Sequence, residues 1–371
     1  MPENPVKVHF GNGTFNDLPQ ILKNFNPKTI LLVLGEKSFR QSIHFQKLGG
    51  MLEKYKVVES IAVPQNPRQE FIEAEINRLK EISFDLVVAI GGGSVIDVSK
   101  ILACVPRQLE TKLDFYFDSG FPLTAAPAPV IAVPTTSGTG SEVTPYSSIE
   151  TREFKKVSLG GPHFYPAVAL VDPELTYTMP EYVTACTGFD ALSQAIESFW
   201  AVAATPSSRI HALRGLEMIL SGLEKACAEP GNKDARYAMA IGSNEAGLAI
   251  AQTKTTAVHS VSYPITALFG VAHGHACALT LAPFMRFNAE VLKEKGAPML
   301  KIFKADSYEA AAKKIETLMR EVKLENSLSK LGITEKGMAS IVRDGFRPDR
   351  VLNNPRKLDQ NDLEKILASI R

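Results

Sequence analysis

With 371 residues, 45% hydrophobic and 22% charged, the chain exceeds what one small core needs and has the composition of an ordinary globular protein of about two to three domains. A formal charge of +1 gives no electrostatic reason to expect nucleic acid or an acidic membrane surface as a partner. The four cysteines (Cys104, Cys186, Cys227, Cys277) form no CxxC pair, which argues against a zinc ribbon, a redox dithiol or a disulfide framework and favours a reducing compartment.

The first residues, MPENPVKVHF, lack a basic segment followed by an apolar run, and no apolar run approaches the roughly 18 residues of a membrane span. A cytoplasmic location is expected. Val6 to Phe10 reads as an edge strand, and Ile30 to Leu34 as a fully buried strand ending at Gly35. In the GEKS that follows, Glu36 stands where an acidic side chain could accept from an adenosine ribose 2′-hydroxyl, which would favour NAD over NADP. A surface turn glutamate reads the same way. After Asn66 and Pro67, Ile72, Ile76 and Leu79 form a helical stripe, and Phe84 to Ile90 gives a second buried strand.

That strand runs into GGGSVID. Strand, glycines and helix in this order present backbone N–H groups and a helix N-terminus to a phosphate, although a plain structural turn has the same sequence. Ser94 and Asp97 are spaced as a capping box, with Val95, Val98, Leu102 and Val105 as the apolar stripe. A third strand, VIAV at 130 to 133, leads into PTTSGTGSE, where small hydroxyl residues and glycines again suit a pyrophosphate. Two such turns at the carboxyl ends of strands in one parallel sheet mark a ligand edge.

Past about residue 175 long helical stretches dominate: 186 to 202, 207 to 228, 235 to 260, 273 to 293 and 306 to 330. We place the boundary within Asp172 to Pro180, dividing an α/β domain (1–175) from an all-α domain (176–371). Asp190 and Gln194 lie one turn apart on a helix, on one face, as two ligands to one ion require. The stretch from His259 to His275 holds three of the seven histidines. Here His259 sits in a helix ended by Pro264, and His273 opens the next. Asp190, Gln194, His259 and His273 together make a mixed N/O set suited to Fe²⁺ or Zn²⁺, with thiolate-preferring metals disfavoured.

The motifs GGGSVID, PTTSGTGSEVT, VDPELT, GFDALSQAIE and HSVSYP to AHGHA resemble the iron-containing (group III) alcohol dehydrogenase family over nearly the whole chain. The resemblance implies a dehydroquinate synthase-like fold, with a nucleotide-binding α/β domain, a helical domain, and a cleft holding NAD or NADP and a divalent metal. Carried over by position, the cofactor contacts fall on Asn66, Gly92, Gly93, Ser94, Asp97, Thr135, Thr136, Thr139, Ser141, Val143, Lys156 and Leu175. The metal ligands fall on Asp190, Gln194, His259 and His273; His275 matches none. Gln194 and Tyr263 stand where the family usually carries histidine, so one imidazole becomes an amide and the proton relay becomes a phenol, with Tyr263 as the catalytic candidate.

These departures look closer to a branch with 3-deoxy-octulosonate 8-oxidising enzymes and phosphonoacetaldehyde reductases. The expected activity is NAD(P)-linked oxidation of a primary alcohol or reduction of its aldehyde, on the C8 hydroxyl of 3-deoxy-D-manno-octulosonate or, alternatively, on phosphonoacetaldehyde, in a homodimer. Two other readings stay open at this point: a dehydroquinate-synthase-like lyase, and a nucleotide-binding protein that has lost catalysis.

Overall fold

The structure, a computed structural model, describes residues 4–118 and 122–371, which form two compact units. One unit comprises the chain up to Thr136 together with Ser141–Thr178; the other comprises Ser137–Gly140 with Met179–Arg371. Among the described residues no helix is long and apolar enough to cross a membrane.

The first unit runs β1 (Lys7–Phe10), α1 (Leu18–Phe25), β2 (Thr29–Leu34), α2 (Ile43–Leu52), β3 (Lys56–Glu59), α3 (Gln69–Leu79) and β4 (Leu86–Gly91). It continues through α4 (Gly93–Cys104), α5 (Asp114–Asp118), β5 (Val130–Pro134), β6 (Tyr146–Glu150), β7 (Lys156–Gly160) and β8 (Val168–Val171). Six strands form one parallel sheet in the order β1-β8-β5-β4-β2-β3, and β6 and β7 pair as an antiparallel hairpin that the sequence patterns did not reveal.

Alternation along the central strands explains why the sheet is covered on both sides. Leu31, Val33, Val87, Ala89, Val130 and Ala132 join one buried cluster. Their neighbours Ile30, Leu32, Leu34, Leu86, Val88, Ile90, Ile131 and Val133 join another. Each face needs its own layer of helices, as in other parallel sheets. The capping box expected at Ser94 is not formed. Helix α4 starts one residue earlier, with Gly92 as its N-cap and no side-chain cap, so Ser94 already lies inside the first turn.

The second unit is helical: α6 (Glu181–Trp200), α7 (Pro206–Ala228), α8 (Lys233–Thr253), α9 (Ala257–Phe269), α10 (His273–Leu292), α11 (Ala297–Phe303), α12 (Tyr308–Glu321), α13 (Glu335–Gly345), α14 (Pro348–Val351) and α15 (Gln360–Ala368). The stretch expected as one helix from 235 to 260 is broken at Lys254, whose φ of 60° turns the chain and separates α8 from α9.

Pro264 does not end α9, contrary to the sequence expectation; the helix continues to Phe269. A proline inside a helix costs about 3 kcal/mol. Every residue from Ala257 to Ile265 is buried, and the Ser260 hydroxyl donates to Gly345 O of α13 at 2.5 Å, so tertiary packing outweighs that cost.

Candidate active site

In the α/β unit, the two glycine-rich turns lie side by side because β4 and β5 are parallel neighbours, with Gly91 opposite Pro134. The Thr135 N–H donates to Gly91 O at 2.9 Å. A Cβ on Gly92 would sit 3.3 Å from Thr136 Cγ2. Gly92, Gly93, Ser94, Thr135 and Thr136 therefore gather at the carboxyl edge of the sheet, around the uncapped N-terminus of α4. That arrangement presents free backbone N–H groups, as a phosphate requires. Asn66, in left-handed backbone (φ 49°), donates its N–H to Ser94 Oγ at 3.3 Å and joins them. Glu36 is exposed just past the end of β2, on the same carboxyl edge.

Other residues carried over as cofactor contacts are placed differently. Burial raises the Asp97 pKa, opposed by Lys100, and the carboxylate accepts from Ser148 N–H at 2.8 Å and from Ser141. Lys156 opens β7 and adds positive charge near Asp97. Val143 is buried and its carbonyl accepts from Asn4; Leu175 is packed into the core beneath one sheet face. Thr139 belongs to the short segment Ser137–Gly140 that packs with the helical unit, where its carbonyl accepts from Gln194 Nε2 at 3.3 Å. Gly140 makes this possible: its φ is +62°, and a Cβ there would meet Gly247 Cα at 2.5 Å.

In the helical unit the structure brings the metal candidates together from three helices. Asp190 and Gln194 come from α6, His259 from α9 and His273 from the first turn of α10. Gly274 is what lets α10 approach, since a Cβ there would lie 1.8 Å from Cys186 O of α6. Asp190 Oδ1 is 3.2 Å from His259 Nε2, 3.8 Å from His273 Nε2 and 3.2 Å from Gln194 Nε2. Asp190, Gln194 and His259 are each about 4% exposed, and Gln194 Oε1 is buried without a hydrogen-bond partner.

Glu197, which the sequence reading did not single out, organises this group. It is fully buried on α6, and its Oε1 accepts from Thr256 N–H (2.9 Å), Thr256 Oγ (2.7 Å) and His259 N–H (3.3 Å) at the start of α9. Three donors on one oxygen mark an ionised carboxylate, well placed at a helix N-terminus. Its Oε2 therefore accepts from His259 Nδ1, the arrangement of a carboxylate orienting a metal-ligating histidine. The spacing was a signal: Glu197 lies seven residues after Asp190 and three after Gln194, on the same helix face.

The consequence is electrostatic. With Nδ1–H committed to Glu197, His259 Nε2 and Asp190 Oδ1 face each other as two acceptors unless a proton or a cation lies between them. Burial works against charge on His259, yet its coupling to Cys277 and Glu197 and the bond to Asp190 hold its pKa well above the ordinary histidine value. The pair therefore draws in a positive charge, as a proton or as a cation.

A sulfur that the sequence reading did not include lies beside the group. One donor atom each from Asp190, His259, His273 and Cys277 lie within 4.8 Å of one another. His273 and Cys277 are four residues apart on α10, so one turn of helix carries both to the same place. Burial pushes the Cys277 thiol pKa up, against the pull of His259.

Tyr263, one turn after His259, is buried and stacks on His273 (centroids 5.8 Å apart, planes at 23°). The Arg347 guanidinium lies over the Tyr263 ring, 5.4 Å from its centroid. The hydroxyl of Ser262 is 3.3 Å from His273 Nδ1. His275 is occupied elsewhere: its Nε2 donates to Glu325 O at 2.6 Å and its Nδ1 accepts from the Tyr182 hydroxyl at 3.3 Å, so it is a satisfied core histidine.

The chain is similar to known proteins over nearly its whole length. The family described as iron-containing alcohol dehydrogenase matches residues 5–173, and the C-terminal part of the Fe-containing alcohol dehydrogenase family matches residues 184–371. The chain is 31% identical to long-chain-alcohol dehydrogenase 1 of Geobacillus thermodenitrificans, covering 98% of this chain and 94% of that protein. It is 29% identical to phosphonoacetaldehyde reductase of Streptomyces viridochromogenes, over 80% of this chain and 79% of that one. The crystal structure of sulfoacetaldehyde reductase from Bifidobacterium kashiwanohense, in complex with NAD⁺, superposes with a TM-score of 0.92 at 33% identity, covering 100% of this chain and 99% of that one.

Proposed function

The chain belongs to the iron-containing alcohol dehydrogenase family, whose members use NAD(P) and a divalent metal, and on that footing we propose that it interconverts an aldehyde bearing an anionic group and the corresponding primary alcohol. The observation that carries the metal assignment is the facing pair of His259 Nε2 and Asp190 Oδ1, beside the orphaned Oε1 of Gln194. Asp190, His259 and His273 would hold the metal, with Gln194 beside them on α6. A divalent metal there supplies Lewis acidity toward the substrate oxygen.

The chain's own residues do the rest. Glu197 fixes the His259 tautomer so that Nε2 is the free donor. Tyr263 is assigned the proton relay, because its phenol is the hydroxyl acid stacked on a ligand imidazole. On the α/β unit, Gly92, Gly93, Ser94, Thr135 and Thr136 would receive the dinucleotide phosphates at the N-terminus of α4, with Asn66 beside them. Glu36 would take the adenosine ribose hydroxyls and favour NAD.

Arg347 supports the anionic class of substrate. Its guanidinium rests on the ring of the relay tyrosine, 5.4 Å from its centroid, and pairs with Asp349 at 3.6 Å. A guanidinium is suited to a phosphonate, sulfonate or carboxylate. The likeness to phosphonoacetaldehyde and sulfoacetaldehyde reductases points the same way and favours a short aldehyde over the C8 hydroxyl of 3-deoxy-D-manno-octulosonate. We carry the family's self-association over as a homodimer.

The test is a turnover panel of phosphonoacetaldehyde, sulfoacetaldehyde and neutral aldehydes with NADH and NADPH, and of 3-deoxy-D-manno-octulosonate with NAD and NADP. Anionic aldehydes should lead in kcat/KM. In Arg347→Met that lead should fall roughly 10- to 100-fold, the worth of a charge-assisted hydrogen bond, with neutral aldehydes changed by less than about twofold. Neutral aldehydes that match the anionic ones would overturn the substrate class. A lyase would show no net NADH consumption at all.

A further inference from the structure

The Gln194 amide turns its nitrogen, not its oxygen, toward the metal candidates: Nε2 donates to Asp190 Oδ1 at 3.2 Å and to Thr139 O at 3.3 Å. An amide nitrogen so engaged is no ligand, and a neutral amide oxygen is a poor donor to a late divalent ion. The position therefore lacks a fourth strong donor from α6. Cys277 supplies one from α10. It is fully buried, one turn after His273, hydrogen-bonded to His259 and Ser262, and its donor atom lies in the same 4.8 Å group as those of Asp190, His259 and His273.

We propose that the Cys277 thiolate is a ligand of the metal, giving a set of one carboxylate, two imidazoles and one thiolate, while Gln194 acts as the hydrogen-bond donor that orients Asp190. The inference rests on the metal assignment above. Binding releases the thiol proton to solvent and replaces it with a metal–sulfur bond. A thiolate in an N/O set shifts preference toward Zn²⁺ and away from harder ions. The other three cysteines carry no such argument: each is buried, and none has a donor atom in this group.

Cobalt reports on the sulfur directly. The full-length protein, stripped of metal and reloaded with Co²⁺, should show visible ligand-field bands together with a near-ultraviolet thiolate-to-cobalt charge-transfer band. The charge-transfer band should vanish in Cys277→Ser with the ligand-field bands retained, and should persist in Gln194→Ala and Cys186→Ser. The wild-type spectrum needs no variant, so a poorly folded Cys277→Ser leaves the test standing. Ligand-field bands without charge transfer in the wild type, or a charge-transfer band that survives Cys277→Ser, overturn the thiolate ligand and leave the metal site intact. Failure to bind cobalt at all overturns both.

Discussion

The two units carry their candidate chemistry in different parts of the chain. In the α/β unit it lies in the backbone: free N–H groups at the start of α4 and glycines that keep Cβ atoms out of the way. In the helical unit it lies in side chains that converge from α6, α9 and α10, held by a buried carboxylate that touches no ligand it does not also orient. A backbone site tolerates changes in its side chains as long as the strand-turn-helix geometry survives. A converging side-chain site fails when any one of the helices shifts.

Gly274 gives that contrast its largest expected effect. A Cβ there collides with backbone at 1.8 Å, so Gly274→Ala must push α10 from α6 and carry His273 and Cys277 away from Asp190. We expect loss of stoichiometric metal and destabilisation of roughly 1–3 kcal/mol or more, as for overpacking. In the α/β unit, Gly92→Ala meets only the Thr136 side chain, its methyl at 3.3 Å and its hydroxyl at 3.4 Å, and should leave metal content unchanged. Metal analysis and denaturant titration of both variants decide this, and equal metal loss in the two would erase the distinction.

A smaller effect separates holding from orienting within the helical unit. Glu197→Gln keeps the volume but removes the charge that fixes His259, and metal affinity should fall roughly 10- to 100-fold, the usual cost of losing an outer-shell partner. Competition with a chromogenic chelator measures it; unchanged affinity would leave Glu197 a helix cap and nothing more. The smallest effect is expected at Glu36. Glu36→Ala should lower the NAD-to-NADP ratio of kcat/KM by roughly tenfold, the worth of one charge-assisted hydrogen bond, with metal content unmoved.

The same contrast explains what could be read from the sequence. A strand-turn-helix geometry is local: a buried apolar run followed at once by glycines or small hydroxyl residues is visible in GGGSVID and PTTS, and β2, β4 and β5 fall where the apolar runs place them. The histidine crowd was visible too, because His259 and His273 are separated by a short connection. What joined them was not. Cys277 entered only the cysteine count, and the turn of α10 is what relates it to His273. Glu197 went unremarked within GFDALSQAIE: its spacing puts it on the face of Asp190 and Gln194, but nothing local shows that the start of α9 lies against it.

Local rules also misled where tertiary packing overrode them. Pro264 stays inside α9 because that helix is buried along its length. The SGTG of PTTSGTGSE leaves the glycine-rich turn and packs with the helices, through Gly138 and Gly140, where a Cβ would meet Thr187 at 2.6 Å and Gly247 at 2.5 Å.

The central claim is that the site built on Asp190, His259 and His273 holds a metal that NAD(P)-linked turnover requires. The most direct measurement is NADH oxidation with an anionic aldehyde before metal stripping, after it, and after return of one equivalent of Zn²⁺ or Fe²⁺. The account predicts that turnover is lost on stripping and restored by one equivalent in the wild type, and that Asp190→Ala stays inactive by roughly 10³-fold or more whatever metal is added. Turnover that persists undiminished in the stripped protein would contradict it.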